Sequence, residues 1–379
     1  MKIVYCTDSV CYPGGIQRVT IAKANALADV EGNEVWIVVT DNKRDMRVLP
    51  ISEKVHLEDL DINYYEDDWK SRWHVLKGIF IKRRKHRKAL QKFLNTIQPD
   101  IVISTGTSEK YILPRLRLFS KPALIREIHF TSDYRQRAAN NWFERLSAWI
   151  GDFLDYHIFI KRYSQIVVLT HEDKERNWQN KNCVAVIPNP LTLKHTLKST
   201  LSNKTVITAG RLTEQKNYAS LINVWTIVHQ SHLDWKLEIW GEGPLKNELQ
   251  QQINRHHLET SCYLMGYTND IISKFSEASV YVSSSLFEGF PLVIVEAMSC
   301  GLPIVSYAYP CGPKDIISRS KDGFIVYVSD ERAMAGRITY LIEHEDIRQQ
   351  MGADALKKSM QYSMDIIIQT WLDLFAKYK

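Results

Sequence analysis

The sequence predicts an α/β protein made of two Rossmann-like domains, each a doubly wound parallel sheet. Three observations predict it. Short β-branched runs recur along all 379 residues. Most are continuously apolar rather than alternating, the mark of strands buried on both faces. Helical segments such as 16–31 and 217–231 separate them, and buried strands that alternate with helices form parallel sheets. The length also exceeds what one core ordinarily serves.

In order, the first half offers KIVYCT (2–7), EVWIVVT (34–40), DIVISTG (100–106), ALIREIHF (123–130), QIVVLT (165–170) and VAVIPN (184–189). The second offers TVITAG (205–210), KLEIWG (236–241), CYLMGY (262–267), SVYVSSS (279–285), PIVSYA (303–308) and GFIVYV (323–328). Six strands are thus expected in each half. The join is expected within PNPLTLKHTLKSTLSN (188–203), a polar stretch after Pro188 and Pro190, giving domains 1–190 and 191–362. A last amphipathic helix, 363–379, carries Ile366, Ile367, Trp371, Leu372 and Phe375 and is expected to fold back onto the first domain. Ligands of such sheets bind beyond the carboxyl ends of the strands. Two sheets facing one another would share one cleft.

Composition narrows the class. The chain is 45% hydrophobic and 24% charged, without low-complexity tracts, as globular proteins are. No apolar run is long enough to span a bilayer. MKIVYCTDSV has no long apolar core or cleavage site, so it reads as a first strand rather than a signal peptide, and a cytoplasmic location is expected. Cys6, Cys11, Cys183, Cys262, Cys300 and Cys311 form no CxxC and complete no zinc set, which leaves free thiols.

Net charge is +6, and ten positive residues (Lys70, Arg72, Lys77, Lys82, Arg83, Arg84, Lys85, Arg87, Lys88 and Lys92) fall within 70–92 with no acid among them. Trp73, Leu76, Ile79, Phe80, Leu90, Phe93, Leu94 and Ile97 recur there at helical spacing. A basic amphipathic helix suits the inner face of an anionic membrane. The alternative is a solvated helix whose apolar side packs on its own domain. No nucleic-acid reading motif accompanies the charge.

The chemistry concentrates in SLFEGFPLVIVEAMSCGLP (285–303). After a strand, Glu288 and Gly289 make a turn. Pro291 can open a helix, and Gly301 with Pro303 can close it, giving a helix over 291–300. Its N-terminus offers backbone N–H groups and partial positive charge to a phosphate. Glu296 lies roughly 7 Å further in, at ~1.5 Å per residue. That is about the reach from a nucleotide's phosphate to its ribose, whose two hydroxyls a carboxylate can bind. The alternative is that Glu296 pairs with a base and Glu288 is a solvated turn residue. GRLTEQKN (210–217) places Arg211 and Lys216 on a strand-to-helix turn, where both could reach one anion. Fixed cations of this kind can neutralise a diphosphate leaving group.

E-x7-E within EGFPLVIVEAMSCGLPIV, with GRLTEQKN and WGEGPLKNEL (240–249), resembles the retaining glycosyltransferases of family 4. Residues 200–330 carry the resemblance most strongly, and 1–190 more weakly. It implies the two-domain GT-B fold and a nucleotide-sugar donor. By this resemblance Glu296 would hold the donor ribose, Glu288 would lie by the donor sugar, and Arg211 and Lys216 would hold the diphosphate. Backbone amides of Gly289, Phe290, Leu292 and Val293 would contact sugar and phosphate, and the turn at Gly266 and Tyr267 would lie near the base. YPGGIQR (12–18), with Gly14 and Gly15, would line the cleft; it is not GxGxxG, so no nicotinamide site is read. His129, in REIHF, matches a histidine that touches the donor sugar, with Asp8, Arg126 and Glu127 as neighbours. AYPCGPKDII (308–317) is similar to a loop of bacterial enzymes that build capsule, exopolysaccharide or lipid-linked oligosaccharide.

The expected reaction moves a hexose or N-acetylhexosamine, with UDP the favoured carrier, to a hydroxyl of a glycan or lipid-linked glycan, with retention and without metal. Asp59-Leu60-Asp61 spells a metal-binding DxD of another fold, but it precedes a polar loop and is declined. No covalent nucleophile stands out, so the leaving phosphate oxygen would take the acceptor's proton. An epimerase or hydrolase of the same fold would need no acceptor. A non-catalytic two-lobed sugar-binding protein would carry a secretion signal and no diphosphate cations.

Overall fold

The computed structural model describes residues 1–11, 14–41, 50–64, 72–131, 135, 141–179, 183–193 and 196–378. The chain divides into two compact units. One comprises Met1–Leu169, Lys174–Thr192 and Met364–Lys379; the other Thr170–Asp173 and Leu193–Ser363.

The first unit has a parallel sheet of β1 (Lys2–Thr7), β2 (Glu34–Val39), β3 (Val55–Asp59), β4 (Ile101–Ser104), β5 (Ala123–Glu127), β6 (Gln165–Val168) and β7 (Val184–Val186), in the order β3-β2-β1-β4-β5-β6-β7. Helices α1 (Gly15–Ala28), α2 (Arg72–Ile97) and α3 (Trp142–Leu154) intervene, and α4 (His171–Asn177) begins in the Thr170–Asp173 piece of the second unit and ends in the first. Continuous apolar runs serve both faces of the sheet. In β1, Ile3 and Tyr5 pack with Ile21 and Leu27 of α1, while Val4 and Cys6 pack with Leu90 and Leu94 of α2.

Among the described residues seven strands form here rather than the six expected. The addition is β3, VHLED, an edge strand whose only fully buried residue is Val55. Its polar sequence hides it from a search for apolar runs. It also corrects the reading of Asp59, which ends a strand instead of merely preceding a loop. The Asp59 carboxylate accepts the N–H of Asp61 at 2.8 Å, and the Asp61 carboxylate lies 3.4 Å from Lys85 Nζ. Helix α1 ends at Ala28, three residues before the expected 31.

In the C-terminal half of α2 the apolar side packs on its own sheet: Leu90 and Leu94 are buried, and Phe93 and Ile97 pack against them. Phe80 is 62% exposed. Lys82 and Lys85 donate to the backbone carbonyls of Asn63 and Asp61. Lys70 and the side chains of Arg72, Trp73, Leu76, Lys77 and Ile79 lie outside the described residues.

The second unit has six parallel strands, β8 (Thr205–Ala209), β9 (Lys236–Trp240), β10 (Cys262–Gly266), β11 (Val280–Ser283), β12 (Ile304–Tyr307) and β13 (Gly323–Val326), in the order β10-β9-β8-β11-β12-β13. Its helices are α5 (Tyr218–His229), α6 (Lys246–Arg255), α7 (Ile271–Ser276), α8 (Leu292–Ser299), α9 (Pro313–Ile316), α10 (Glu331–Glu343) and α11 (Glu345–Ser359). The last helix, α12 (Met364–Phe375), belongs to the first unit. It buries Ile367, Ile368, Trp371, Leu374 and Phe375. Ile366, expected on the packed side, is 51% exposed, and Leu372 packs only at the margin.

Candidate active site

In the second sheet the chain begins centrally at β8, winds outward through β9 and β10, then returns to the other side of β8 with β11. The loops after β8 and β11 therefore diverge at a topological switch point, where parallel sheets leave a crevice. GRLTEQKN follows β8, and SLFEGF follows β11. Two motifs about seventy residues apart become one site because their strands pair, Val206 opposite Val280 and Ile207 opposite Tyr281.

The loops are joined through main chain and side chains. Leu286 N–H donates to the Gln215 carbonyl at 2.8 Å, and Ser284 Oγ donates to the Lys216 carbonyl at 2.7 Å. Lys216 Nζ lies 2.6 Å from Glu288 Oε1, with both side chains mostly buried. Ser285 Oγ donates to the same oxygen at 2.9 Å, and Gln215 Nε2 donates to Oε2 at 3.2 Å. Glu288 is thus a fixed acceptor rather than a solvated turn residue. Ser284, Ser285 and Gln215 escaped the sequence reading, because ordinary polar residues in a turn give no signal until their partner is known. Arg211 is exposed at the same turn.

Two glycines make room for this geometry. A Cβ on Gly210 would lie 2.7 Å from Lys216 Cε and 2.9 Å from the Tyr218 hydroxyl. A Cβ on Gly241, at φ 141°, would lie 2.0 Å from the Gly210 carbonyl oxygen. The Gly241 N–H also donates to the Gly266 carbonyl at 2.8 Å, so the turn at Gly266 adjoins the one bearing Arg211. Gly266 ends β10 at φ 79°, and the neighbouring Tyr267 is 68% exposed.

Helix α8 starts one residue later than expected. Pro291, at φ −77° and ψ 80°, caps the helix instead of opening it. Leu292 N–H already donates to the Phe290 carbonyl at 2.9 Å. Val293 and Gly289 are half-buried beside it, and Phe290 is buried. Glu296 is buried, only 3% exposed, on the second turn of α8. Loop 308–317 is anchored by Asp315, whose carboxylate accepts the N–H groups of His171 at 2.7 Å and Glu172 at 3.2 Å.

The first sheet has its own switch point, between β1 and β4. Asp8, just after β1, accepts from the N–H and hydroxyl groups of both Thr107 and Ser108, at 2.6–3.1 Å. Glu109 accepts from Ser104 Oγ at 2.7 Å and Gly106 N–H at 2.9 Å. Burial, with the charge of Asp8, pushes Glu109 up to about 7. Arg126 donates to Ser104 Oγ and the Gly106 carbonyl, each at 2.6 Å.

Beside this network Lys23 forms a fully buried ion pair with Glu127, and its ammonium lies 4.7 Å from the centre of the Trp371 ring. Burial alone would raise the Glu127 carboxyl, but the charge and hydrogen bond of Lys23, with the charge of Arg126, hold it below its ordinary value. His129 sits two residues past β5, not within the strand as REIHF suggested. It is 8% exposed; among the described residues neither ring nitrogen has a hydrogen-bond partner, and Nε2 lies 3.5 Å from Glu127 Oε1. Burial, with Lys23 and Arg126, lowers it to about 4 despite Glu127, so the ring is neutral near pH 7. Of the glycine turn, Gly14 caps α1 and Gly15 begins it, while Tyr12 and Pro13 lie outside the described residues. Lys23 was missed because a lysine on an amphipathic helix ordinarily faces water.

A hollow of about 200 Å³ opens in the same unit, lined by Lys110, Tyr111, Arg126, Phe130, Arg135 and Asp155 among others. Asp155 is 2.7 Å from both Lys110 Nζ and Arg135 Nη2. The thiols of Cys6, Cys262 and Cys300 are pushed up by burial, the last two to about 12, which leaves them poor nucleophiles.

Comparison with known proteins agrees with this architecture. A glycosyltransferase of Haemophilus influenzae is 28% identical, covering 98% of each chain. An alpha-N-acetylgalactosaminyltransferase of Campylobacter jejuni, named for a diphospho-undecaprenol-linked acceptor, is 30% identical over 39% of this chain and 40% of its own. Anabaena HepE, crystallised with UDP and glucose, shares the fold at a TM-score of 0.75 and 18% identity, over 99% of each chain. The two Rossmann-like units are those of GT-B enzymes. Residues 193–358, most of the second unit, match the family described as Glycosyl transferases group 1.

Proposed function

We propose that this glycosyltransferase moves a hexose or N-acetylhexosamine from a UDP-sugar to a hydroxyl of a glycan or lipid-linked glycan in surface polysaccharide assembly, retaining the anomeric configuration and using no metal. The observation that carries the reading is the joined pair of loops at the β8–β11 switch point. There Lys216 and Glu288 meet at 2.6 Å and Arg211 stands exposed beside them. The HepE complex with UDP and the Campylobacter relative's acceptor support the donor and acceptor classes.

In this mechanism Arg211 and Lys216 take the diphosphate, Glu296 takes the ribose hydroxyls and Glu288 faces the donor sugar. When the donor arrives, Lys216 exchanges part of its contact with Glu288 for phosphate. Glu288, still held by Ser285 and Gln215, is then free to accept from sugar hydroxyls. Charge developing on the departing phosphate is met by two fixed cations, which makes a divalent metal unnecessary. That oxygen takes the acceptor's proton, so no side chain need serve as nucleophile. His129, neutral and with Nε2 3.5 Å from Glu127 Oε1, can donate one hydrogen bond to a sugar hydroxyl. The basic segment 70–92 contacts an anionic membrane surface, where a lipid-linked acceptor would reside.

Released nucleotide, measured across a panel of nucleotide-sugars with and without acceptor, tests the reading. Acceptor-dependent UDP release that survives chelator is expected. Acceptor-independent release would favour a hydrolase, and loss of activity on chelation would reopen the role of Asp59 and Asp61.

A further inference from the structure

Helix α3, WFERLSAWIGDFL, is built inside out. Its buried residues are Ala148 and Asp152. Asp152 and the following Asp155 turn inward to Arg135, at 3.4 and 2.7 Å. Trp142, Phe143, Leu146, Trp149, Ile150 and Phe153 are 46–72% exposed. At ~100° per residue these six cover roughly 120° of the helix circumference, opposite Ala148. A soluble surface helix has the reverse polarity. A contiguous apolar face of this size marks an interaction site. The Trp149 and Phe153 rings stack at 5.9 Å, and Trp142 meets Phe143 edge-on at 5.2 Å, so the face is an ordered aromatic shelf.

The surroundings are basic. Arg145, Lys161 and Arg162 are exposed on the helix and just after it. At the far end the Arg115 guanidinium lies 4.8 Å from the centre of the Phe159 ring, and the Arg115 carbonyl accepts from Arg87 of α2 at 3.3 Å. Arg115 thus links the end of the aromatic segment to α2, on which Arg83, Arg84 and Lys88 are exposed. Tryptophan and phenylalanine flanked by arginine and lysine are the composition of a helix lying in a lipid interface. A second copy of the chain would bring these cationic rims together across a twofold interface.

We propose that α3 is a monotopic membrane anchor that lays its aromatic shelf into an anionic phospholipid surface while the adjoining cations of α2 and residues 115–162 contact the headgroups. Attachment of this kind needs no membrane-spanning helix, and among the described residues no helix is long and apolar enough to cross a bilayer. It adds an apolar foothold to the electrostatic contact proposed for segment 70–92, and the two contributions separate by experiment. It does not depend on which sugar is moved.

The test is flotation of the full chain with vesicles of equimolar phosphatidylglycerol and phosphatidylcholine, and with phosphatidylcholine alone. The wild type is expected to float with the anionic vesicles, its tryptophan emission shifting to the blue. Trp149→Glu with Phe153→Glu should lower the bound fraction at least about tenfold at any salt concentration. Arg84→Glu with Lys88→Glu should weaken binding mainly at low salt. Trp142→Phe with Trp149→Phe keeps the face apolar; it should still bind, yet lose most of the quenching that brominated acyl chains impose on the wild type. This variant keeps the test decisive even if the glutamate variant fails to fold. Failure of the wild type to bind, an undiminished bound fraction in a folded glutamate variant, or quenching unchanged by the phenylalanine pair would overturn the proposal. So would a wild-type dimer that the glutamate variant dissolves without any vesicle binding. Donor-dependent nucleotide release, measured in parallel without vesicles, reports on the transfer reaction separately.

Discussion

The two units wind their sheets in the same order around the central strand, yet they use the switch point differently. In the first, Asp8 after β1 is consumed by four hydrogen bonds from Thr107 and Ser108. Its neighbours pair inside the protein, Arg126 with Glu109 and Lys23 with Glu127. In the second, the charged groups after β8 and β11 meet at the Lys216–Glu288 contact, with 17% and 14% of those side chains accessible. Identical topology therefore guarantees a crevice but not a binding site. Whether the polar groups are spent internally or kept reachable decides which role each crevice takes.

Substitutions that tell spent charge from available charge test this contrast. The largest effect is expected from Lys23→Ala, which strands the buried Glu127 carboxylate. Stability should fall by about 3–5 kcal/mol in denaturant unfolding. The double variant Lys23→Met, Glu127→Gln should recover most of that loss; a double variant as unstable as the single one would mean the ion pair is not what matters. Arg211→Ala or Lys216→Ala, by contrast, should leave the fold near wild type and lower turnover by about a hundredfold. Near-normal rates in either would remove the second crevice from the reaction.

A smaller effect concerns pH. Glu109 is raised to about 7 from 4.5, so the folded protein holds a proton that the unfolded chain has released. The stability this gives is present below about 4.5 and is lost as pH rises through 7. His129 and His86, lowered to about 4 by burial, act in the opposite sense: their contribution is present above 6.5 and lost as pH falls toward 4. Glu109→Gln should therefore gain on the wild type as pH is raised from 5 to 8, by on the order of 2 kcal/mol. Parallel unfolding curves across that range would contradict the assignment. Least of all should come from Lys246→Ala, which breaks a half-exposed pair with Glu242 on the second unit. A change within about 0.5 kcal/mol is expected, and a larger one would show that surface pairing, not burial, sets these differences.

Much of this was legible beforehand. Apolar runs such as KIVYCT and TVITAG locate their strands to within a residue or two, because a strand buried on both faces has no polar alternation to confuse it. The Lys216–Glu288 site was legible as two motifs, since parallel topology brings post-strand loops together. What stayed hidden has physical causes. Strand β3 lies at an edge and carries polar residues. Lys23 resembles any helical lysine until Glu127 and Trp371 enclose it. The polarity of α3 is invisible in principle: periodicity gives an apolar stripe but not the side from which it will be covered.

The place of Trp371 has a consequence for the order of synthesis. The ring that covers Lys23, with Leu374 and Phe375, comes from α12, after the roughly 170 residues from 193 to 363 that make the other unit. At ribosomal speeds of 5–20 residues per second that is a delay of about 10–35 s. During this interval the nascent first unit exposes the apolar flank of α1 that α12 later covers, so a holdase has a defined surface and a defined time in which to act.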